Sequence, residues 1–383
     1  MTPKTIMVVA GDPSGDAIAA DLVRALAAAL PAARFIGAGG PLMAAAGVAN
    51  SFDLTADAVI GLSDALQKLP RFNRYKRELT RLAATQKPEV IILVDFSYFN
   101  QKLAHAIRLQ SCSTWRPSIV KYVSPQVWAS RPGRAAHMAR DFDLLLCLFP
   151  FEKDWYARHV PEFRVEFVGH PMFDRYPAPV RKPSQVSSVL LLPGSRRAEL
   201  KRHLPVMLGA AQLIAAKQAV RFKLVAPSEE MAALVRAFLP GTGPQIEIQI
   251  GQLAEALSET TIAIASTGTV TLECAYFGVP TVALYKTSLQ TYLIAKQVVT
   301  VKYLSMPNIL ANEPLFPEFI QHQATAANLA RAALELLANH DRRAEIQSKL
   351  ARVIATLGGA GAARRAAAAI LKLANDDETA TKT

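Results

Sequence analysis

The feature that most constrains the fold of this 383-residue chain is a regular alternation of short apolar runs with segments of helical periodicity. Short apolar runs predict buried strands, and 3.6-residue periodicity predicts helices, here over residues 16–30 and 99–109. The strands predicted in the first half are residues 5–10, 34–37, 89–94, 118–123, 143–148 and 165–168. Such alternation is typical of a parallel sheet covered by helices.

A proline-rich stretch, residues 176–183, interrupts the alternation, which then restarts. The strands predicted in the second half are residues 188–192, 221–226, 245–250, 261–265 and 281–285. Because the chain is too long for one α/β core, we expect two doubly wound, Rossmann-like domains. Ligands of such sheets bind at the carboxyl ends of the strands, so we expect an active-site cleft between the two domains.

Composition excludes several classes of protein. The net charge of +12 favours an anionic partner, and seven basic residues fall between Lys68 and Lys87. This basic cluster is not interleaved with stacking aromatic residues in the way that a single-strand binder needs, so we expect no nucleic-acid partner. The three cysteines and seven histidines show no metal-ligand spacing, so we expect no metal. No apolar run resembles a signal peptide or reaches membrane-spanning length, so we expect a cytoplasmic protein.

Three loops at predicted strand ends of the first half carry polar and small residues. The first turn contains Asp12, Ser14, Gly15 and Asp16, but it is not the G-x-G-x-x-G of a dinucleotide site. Asp95 closes the strand at 89–94, where it either caps the next helix or belongs to a site.

The third of these loops, residues 122–128, is rich in proline, aromatic and amide side chains. It includes Ser124 and Gln126, which can position a sugar or merely pack.

The second half carries stronger signals. Gly194, Ser195 and Arg196 follow a predicted strand and precede a helix. A positive charge at a helix N-terminus opposes the helix dipole, which favours a diphosphate site over a structural role. A second helix start has Thr267, Gly268 and Thr269, and Glu273 lies one turn further on. Glu273 either accepts hydrogen bonds from a ribose diol or faces solvent.

Asp141-Phe142-Asp143 looks like the D-x-D that holds a divalent ion in many glycosyltransferases. It precedes its predicted strand instead of following it, so we interpret it as a cap at the start of that strand.

Together these residues resemble one family, the lipid-A-disaccharide synthases, which are glycosyltransferases of GT-B architecture. The matching segments keep the order of the family over nearly the whole chain. They are residues 11–16, 34–41, 60–61, 94–100, 122–129, 149–153, 167–171, 192–197, 267–273, 305–311 and 317–321.

The resemblance implies that UDP-2,3-diacylglucosamine donates its sugar to 2,3-diacylglucosamine 1-phosphate, with no cofactor. It places the acceptor on residues 1–172, with a helix at about 360–374 packing back on them, and UDP on residues 173–359, before a polar tail at 375–383. Asp95 becomes the first candidate for the base, with Asp12 and Asp16 as alternatives. The acceptor or cleft residues implied are Ser14, Gly15, Ser124, Gln126, Asn308 and Gln321.

The chain departs from the family pattern at Asp12, Tyr98 and Ser130, where glutamate, aspartate and tryptophan are usual. Three alternatives therefore stay open. The first is a related transferase with a different lipid acceptor, the second is a UDP-sugar epimerase or hydrolase, and the third is a non-catalytic UDP-sugar-binding protein.

An apolar stripe next to the basic cluster suggests membrane contact. Leu62, Leu66, Leu69 and Phe72 recur at helical spacing, and Pro70 predicts a break between two short helices. Apolar residues flanked by lysine and arginine are typical of an interfacial helix. We therefore expect peripheral association with the inner face of the cytoplasmic membrane; the alternative is that the stripe packs on the first sheet.

Overall fold

The computed structural model describes residues 5–57, 62–176, 178–180, 182, 186–239 and 241–380, with the side chains of residues 57, 62–68 and 377–380 left out. Residue contacts divide the chain into two units. The first is Met1–Arg175 together with Leu357–Thr383, and the second is Tyr176–Thr356.

The first unit contains a parallel sheet in the order β3-β2-β1-β4-β5-β6-β7. Its strands are β1 (Thr5–Ala10), β2 (Arg34–Gly39), β3 (Ala49–Asp53), β4 (Val90–Val94), β5 (Ser118–Tyr122), β6 (Leu144–Cys147) and β7 (Val165–Phe167). Ala10 pairs with Val94, and Val94 pairs with Tyr122. Three neighbouring strands thus end at the same level, and the strand order reverses at β1, where α/β sheets bind ligands.

Helices cover this sheet because their apolar stripes pack on its buried strands. They are α1 (Pro13–Ala29), α2 (Pro41–Ala45), α3 (Leu62–Gln86), α4 (Ser97–Gln110), α5 (Arg134–Asp141), α6 (Pro150–His159) and α7 (Met172–Arg175). Tyr75 and Leu79 of α3 enter the same core as Ile91 and Leu93 of β4.

The second unit contains a parallel sheet in the order β10-β9-β8-β11-β12-β13. Its strands are β8 (Ser188–Leu192), β9 (Arg221–Ala226), β10 (Ile246–Ile250), β11 (Ile262–Ser266), β12 (Thr281–Tyr285) and β13 (Glu318–Ile320). Its helices are α8 (Arg197–Ala215), α9 (Glu229–Phe238), α10 (Leu253–Glu259), α11 (Thr269–Tyr276), α12 (Leu289–Val298), α13 (Met306–Ala311), α14 (Ala326–Ala338) and α15 (His340–Ala355).

The last helix, α16 (Ala362–Ala380), belongs to the first unit and packs on α1, β5 and β6. Ala362, Ala366 and Ile370 are buried in this packing. Arg365 donates from Nε to the carbonyl of Val168 at 2.7 Å, and Arg164 pairs with Asp376 at 2.9 Å. These contacts attach the helix to segments far earlier in the chain.

The predicted α/β class with two parallel sheets is confirmed. One local prediction is wrong: α3 runs through Pro70 as a single helix. Proline removes one backbone donor and disfavours the helix locally. Beyond it, however, Phe72, Tyr75 and Leu79 bury one face of α3 on the sheet, which stabilises the continuous form. Strands β3 and β13 are absent from the prediction because both lie at sheet edges and lack a continuous buried apolar run.

Candidate active site

The loop after β1 forms the N-terminus of α1. Asp12 is the N-cap, and its Oδ1 accepts hydrogen bonds from the Gly15 amide at 2.6 Å and from Ser14 Oγ at 3.0 Å. A Cβ added to Gly15 would lie 2.9 Å from Asp12 Oδ1 and 3.5 Å from Asp95 Cβ. The structure therefore brings both Asp12 and Asp95 next to Gly15. Ser14, in the same turn, is exposed.

Asp16 does not fit the role of a catalytic base. It is 2% exposed, and its carboxylate accepts the backbone amides of Gly40, Leu42 and Met43 at 2.8–3.1 Å. These donors lie at the start of α2, where the carboxylate meets the positive end of the helix dipole. Asp16 thus fixes α2 against α1, and this structural role removes it from the candidate bases.

Asp95 lies in a constrained turn at the end of β4. Asp95 and Phe96 have φ angles of 43° and 42°, a left-handed conformation that is unfavourable for residues other than glycine. The Asp95 amide donates to the Tyr122 carbonyl, and Asn100 Nδ2 donates to the Asp95 carbonyl, each at 2.9 Å. The Phe96 ring covers Gly11 so closely that a Cβ there would lie 2.1 Å from Phe96 Cδ1. Such over-determined strain is typical of functional sites.

Lys121 on β5 is a site residue that the sequence analysis missed. It is 1% exposed, and its Nζ donates to the Asp95 carbonyl oxygen. Burial lowers the pKa of Lys121 to about 8, although the nearby carboxylates of Asp95 and Asp12 favour its charged form. A lysine in the middle of a predicted apolar strand is the sequence signal that could have indicated it.

Of the two predicted site residues in the loop after β5, one is buried and the other is exposed. Ser124 is buried, with its Oγ 3.4 Å from Tyr156 Oη, whereas Gln126 is exposed. Trp128 Nε1 donates to Glu152 Oε1 at 3.0 Å. Burial raises the pKa of Glu152 to about 7. Ser124 therefore helps to anchor the loop, and Gln126 is the side chain that it presents to solvent.

A cavity of about 350 Å³ opens beside α4 and α5 in the first unit. Tyr98, one of the departures from the family pattern, lines it and is 63% exposed. Lys102, Arg134 and His137 line the same cavity, and Lys102 Nζ lies 5.9 Å from the centroid of the Tyr98 ring. Its lining therefore combines an aromatic ring with several basic side chains and one carboxylate, that of Asp141.

In the second unit, the two predicted donor loops meet. β8 and β11 are adjacent, and a Cβ added to Gly194 would lie 3.4 Å from Ser266 Oγ. Gly194 has φ 113°, which a residue with a side chain rarely adopts. Gly268 is the N-cap of α11, and Thr267 and Thr269 flank it. Two helix N-termini thus lie at neighbouring strand ends, an arrangement suited to a diphosphate.

Arg196 is the N-cap residue of α8, with its side chain 61% exposed. Its only described ionic contact is with Glu199, at 3.2 Å between Nη1 and Oε1. A surface pair of this kind contributes little to stability, so the guanidinium can turn to an anionic ligand at small cost.

Glu273 on α11 is half-buried and accepts a hydrogen bond from Tyr176 Oη at 2.7 Å. The donor is another residue that the sequence analysis missed, because Tyr176 lies in the proline-rich stretch and is distant in sequence. The Glu273 carboxylate can therefore accept a hydrogen bond from a hydroxyl group, as the predicted contact with a ribose requires.

A buried histidine joins two loops of the second unit. His203 on α8 is 0% exposed, with Nδ1 2.8 Å from the Pro193 carbonyl and Nε2 3.0 Å from the Lys286 amide. Burial lowers the pKa of His203, and a neutral ring with its proton on Nδ1 satisfies both contacts. His203 therefore positions the loop that carries Gly194 and Arg196.

Asn308 and Gln321, both predicted to lie at the acceptor or cleft, have hydrogen-bond partners within the protein. Asn308 is 0% exposed, and its amide bonds with the Phe316 backbone and with Glu318 at 2.8 Å. Gln321 Oε1 and Nε2 bond with the Thr287 amide and carbonyl at 2.7 and 3.1 Å. The buried Asn308 amide is therefore held within the protein and shapes a loop. Gln321 is half-buried and stays a predicted cleft residue.

The D-x-D segment makes structural contacts. Asp141, at the end of α5, accepts from Gln101 Nε2 at 2.7 Å and pairs with Arg140 at 3.0 Å. Asp143 accepts the Ile119 amide at 2.7 Å and pairs with Arg108. Within the described residues, no group of three His, Cys, Asp or Glu side chains is arranged to hold a metal ion.

The residues predicted to touch a membrane divide in two. The Phe72 ring packs against those of Phe96 and Phe99, with centroid distances of 5.6 and 5.9 Å. Packing in the core therefore explains why this residue is apolar. Leu69 is 42% exposed. The side chains of Leu62 and Leu66 lie outside the described residues. Within the described part of the chain, no helix combines the length and the apolar character needed to span a bilayer.

Solved structures show which fold this is. The calicheamicin glycosyltransferase CalG4 superposes with a TM-score of 0.59 at 16% identity, over 97% of this chain and 98% of its own. UDP-GlcNAc 2-epimerase from Neisseria meningitidis, bound to UDP-GlcNAc, gives a TM-score of 0.60 at 12% identity, over 97% and 100%. The chain has two Rossmann-like units, and in the second unit two helix N-termini lie where they can bind an anion. This fold is the GT-B class.

The particular family follows from sequence. The lipid-A-disaccharide synthetase family model matches residues 6–373. A lipid-A-disaccharide synthase from Alkalilimnicola ehrlichii is 35% identical over 96% of this chain and 98% of its own length. The chain belongs to the lipid-A-disaccharide synthetase family, and it is a glycosyltransferase of lipid A biosynthesis. The resemblance stated from the motifs is thereby confirmed.

Proposed function

We propose that the protein transfers the sugar of UDP-2,3-diacylglucosamine to the 6-hydroxyl of 2,3-diacylglucosamine 1-phosphate. The main support for binding of the UDP-sugar donor is that the Gly194 and Ser266 loops meet at the ends of adjacent strands. Arg196 and the α11 N-terminus supply positive charge for a diphosphate. Glu273 supplies an acceptor for the ribose hydroxyls, in the way that it accepts from Tyr176 Oη.

The proposed chemistry is a single displacement with inversion. The acceptor oxygen attacks the anomeric carbon, the bond from that carbon to the diphosphate oxygen breaks, and the hydroxyl proton passes to Asp95. UDP leaves with the bonding electron pair, and Ser195, Arg196 and α11 stabilise the charge that develops on it. Asp95 is preferred to Asp12 because Asp12 already caps α1.

The cavity beside α4 supports an anionic acceptor. Lys102 and Arg134 offer charge-assisted hydrogen bonds to a phosphate monoester, and Tyr98 offers a flat face to a sugar ring. Tyr98 stands where the family usually has aspartate, so the replacement removes a negative charge from the lining of this cavity.

The deciding experiment is mass-spectrometric analysis of the products from the two proposed substrates. We expect a tetra-acyl disaccharide 1-phosphate and one equivalent of UDP, and a chelator should change the rate less than about twofold because the leaving group is met by arginine and helix dipoles. Release of free sugar would indicate a hydrolase, and a 2-epimer an epimerase. Activity only with another lipid acceptor would indicate a related transferase, and no turnover a binding protein.

We also propose that α3 contacts an anionic membrane surface, where a diacylated acceptor resides. Arg71, Arg74, Arg77 and Arg81 of α3 are exposed, and a basic residue near such a surface contributes about 1 kcal/mol. Leu69 extends this surface with apolar area.

Leu69→Ser should weaken binding to phosphatidylglycerol vesicles about fivefold, since about 1 kcal/mol of apolar transfer is lost, and should leave the Tm unchanged. Phe72→Ser is the matched variant one turn away. It should lower the stability by about 2 kcal/mol because the ring packs in the core. Vesicle flotation and thermal unfolding measure the two effects, and wild-type flotation of Leu69→Ser would contradict the membrane contact.

A further inference from the structure

Lys121 is a buried ammonium that the proposed reaction does not yet use. It is 1% exposed in the middle of a buried parallel sheet, where leucine or valine would pack without losing hydration. Burying a charged group opposes folding unless a partner compensates for it. The reason for a buried lysine in an α/β core should therefore be found at the place where its ammonium makes contact.

That place is the carbonyl oxygen of Asp95. Lys121 Nζ donates to it, and Asn100 Nδ2 donates to the same atom at 2.9 Å. The acceptor lies between two residues in the left-handed region, Asp95 at φ 43° and Phe96 at φ 42°. An ordinary strand-to-helix turn would relax from this conformation, so the two donors hold the peptide group in its strained orientation.

The second partner of the ammonium is negative charge. The carboxylates of Asp95 and Asp12 both act on Lys121, and both residues lie next to Gly15, beyond the ends of two adjacent strands. Nearby negative charge favours the charged form of a buried lysine. Burial lowers the pKa of Lys121 to about 8, and the two carboxylates act in the opposite direction.

We propose that Lys121 is a positioning residue for the transfer reaction, whose ammonium fixes the Asp95–Phe96 turn and so aims the Asp95 carboxylate. This inference rests on the proposed function, because it assigns to Asp95 the proton of the acceptor. It predicts that the charge of Lys121 serves turnover and opposes stability, the reverse of what a structural core residue does.

The test compares Lys121→Met, which keeps the length and removes the charge, with Val120→Ala on the same strand. Lys121→Met should lower kcat at least tenfold, leave the donor KM within twofold, and leave the Tm equal or higher. Val120→Ala should lower the Tm and leave kcat unchanged, because Val120 is a buried apolar residue of the strand interior. A Lys121→Met enzyme with wild-type kcat overturns the proposal.

A double-mutant cycle measures the coupling in kcat between Lys121 and Asp95. A purely structural role of Lys121 would produce no such coupling. In an Asp95→Asn background, Lys121→Met should cost less than twofold in kcat, since the group that it aims is already disabled. Additive losses overturn the proposal. If Lys121→Met fails to fold, Lys121→Gln enters the same cycle.

A crystal structure of the variant separates this inference from the proposed function. The Asp95–Phe96 turn should leave the left-handed region when Lys121 is replaced, whatever reaction the protein catalyses. An unchanged turn overturns the inference even if the disaccharide is formed. Absence of the disaccharide with the wild-type protein overturns the proposed function, and the turn still tests the inference.

Discussion

Replacing Asp95 with asparagine should lower kcat by about 10²–10⁴-fold, the usual contribution of a general base. Asparagine keeps the size of the side chain but cannot take the acceptor proton. The affinity for UDP should stay unchanged, because the groups assigned to UDP lie in the second unit. Single-turnover rates and calorimetric titration with UDP measure the two effects.

Asp12→Asn is the matched control for this prediction. Asparagine is as good an N-cap as aspartate, so the variant should keep the cap on Gly15 and a kcat within a few-fold of wild type. A large loss of kcat in Asp12→Asn together with an active Asp95→Asn enzyme would contradict the assignment and move the base to Asp12.

The second large effect concerns the donor site. Arg196→Ala should raise the Kd for UDP by about 10- to 150-fold, because one charge-assisted hydrogen bond contributes about 1.5–3 kcal/mol. Glu273→Ala should raise the Kd for UDP and leave that for pyrophosphate unchanged, since the carboxylate is assigned to the ribose. Isothermal titration with UDP and with pyrophosphate separates the two roles.

Arg197→Ala provides the control for charge alone. Arg197 is the next residue, has a similar exposure of 59%, and donates to Glu230 at 2.8 Å. Its removal should change the Kd for UDP less than twofold. If Arg196→Ala and Arg197→Ala weaken UDP equally, the effect is a general electrostatic one and the specific contact of Arg196 is wrong.

Periodicity predicted the sheets well because buried parallel strands are nearly continuous apolar runs. Strands β1, β8, β9 and β12 have the predicted bounds. The loops that follow β4, β8 and β11 were also identified correctly as polar segments at strand ends. This edge of each sheet can be located from sequence because small and polar residues interrupt the apolar pattern there.

The roles of individual polar side chains could not be predicted in the same way. Asp16, Asn308 and Gln321 belong to matching motifs, yet each forms hydrogen bonds with backbone groups of the protein. A motif shows that a residue type is required, and a structural hydrogen bond requires it as strictly as a ligand does. The partners lie between 8 and 34 positions away, so only the fold reveals which case applies.

Lys121 and His203 are residues near the candidate sites that the sequence did not predict. Both are buried polar side chains, and both hold a loop rather than enter a motif. Lys121 bonds across 26 positions and His203 across 83. No local pattern carries information over such separations, so residues that position a loop are harder to predict than the loop itself.

The place of α16 in the first unit has a consequence for biosynthesis. The surface of α1, β5 and β6 that it covers is translated long before α16 leaves the ribosome. The first unit therefore waits with an apolar face uncovered while the entire second unit, which is continuous in sequence, is made and can fold. The part of the protein that is synthesised first is thus the last to be complete, and until then its exposed face is a surface for chaperones to protect.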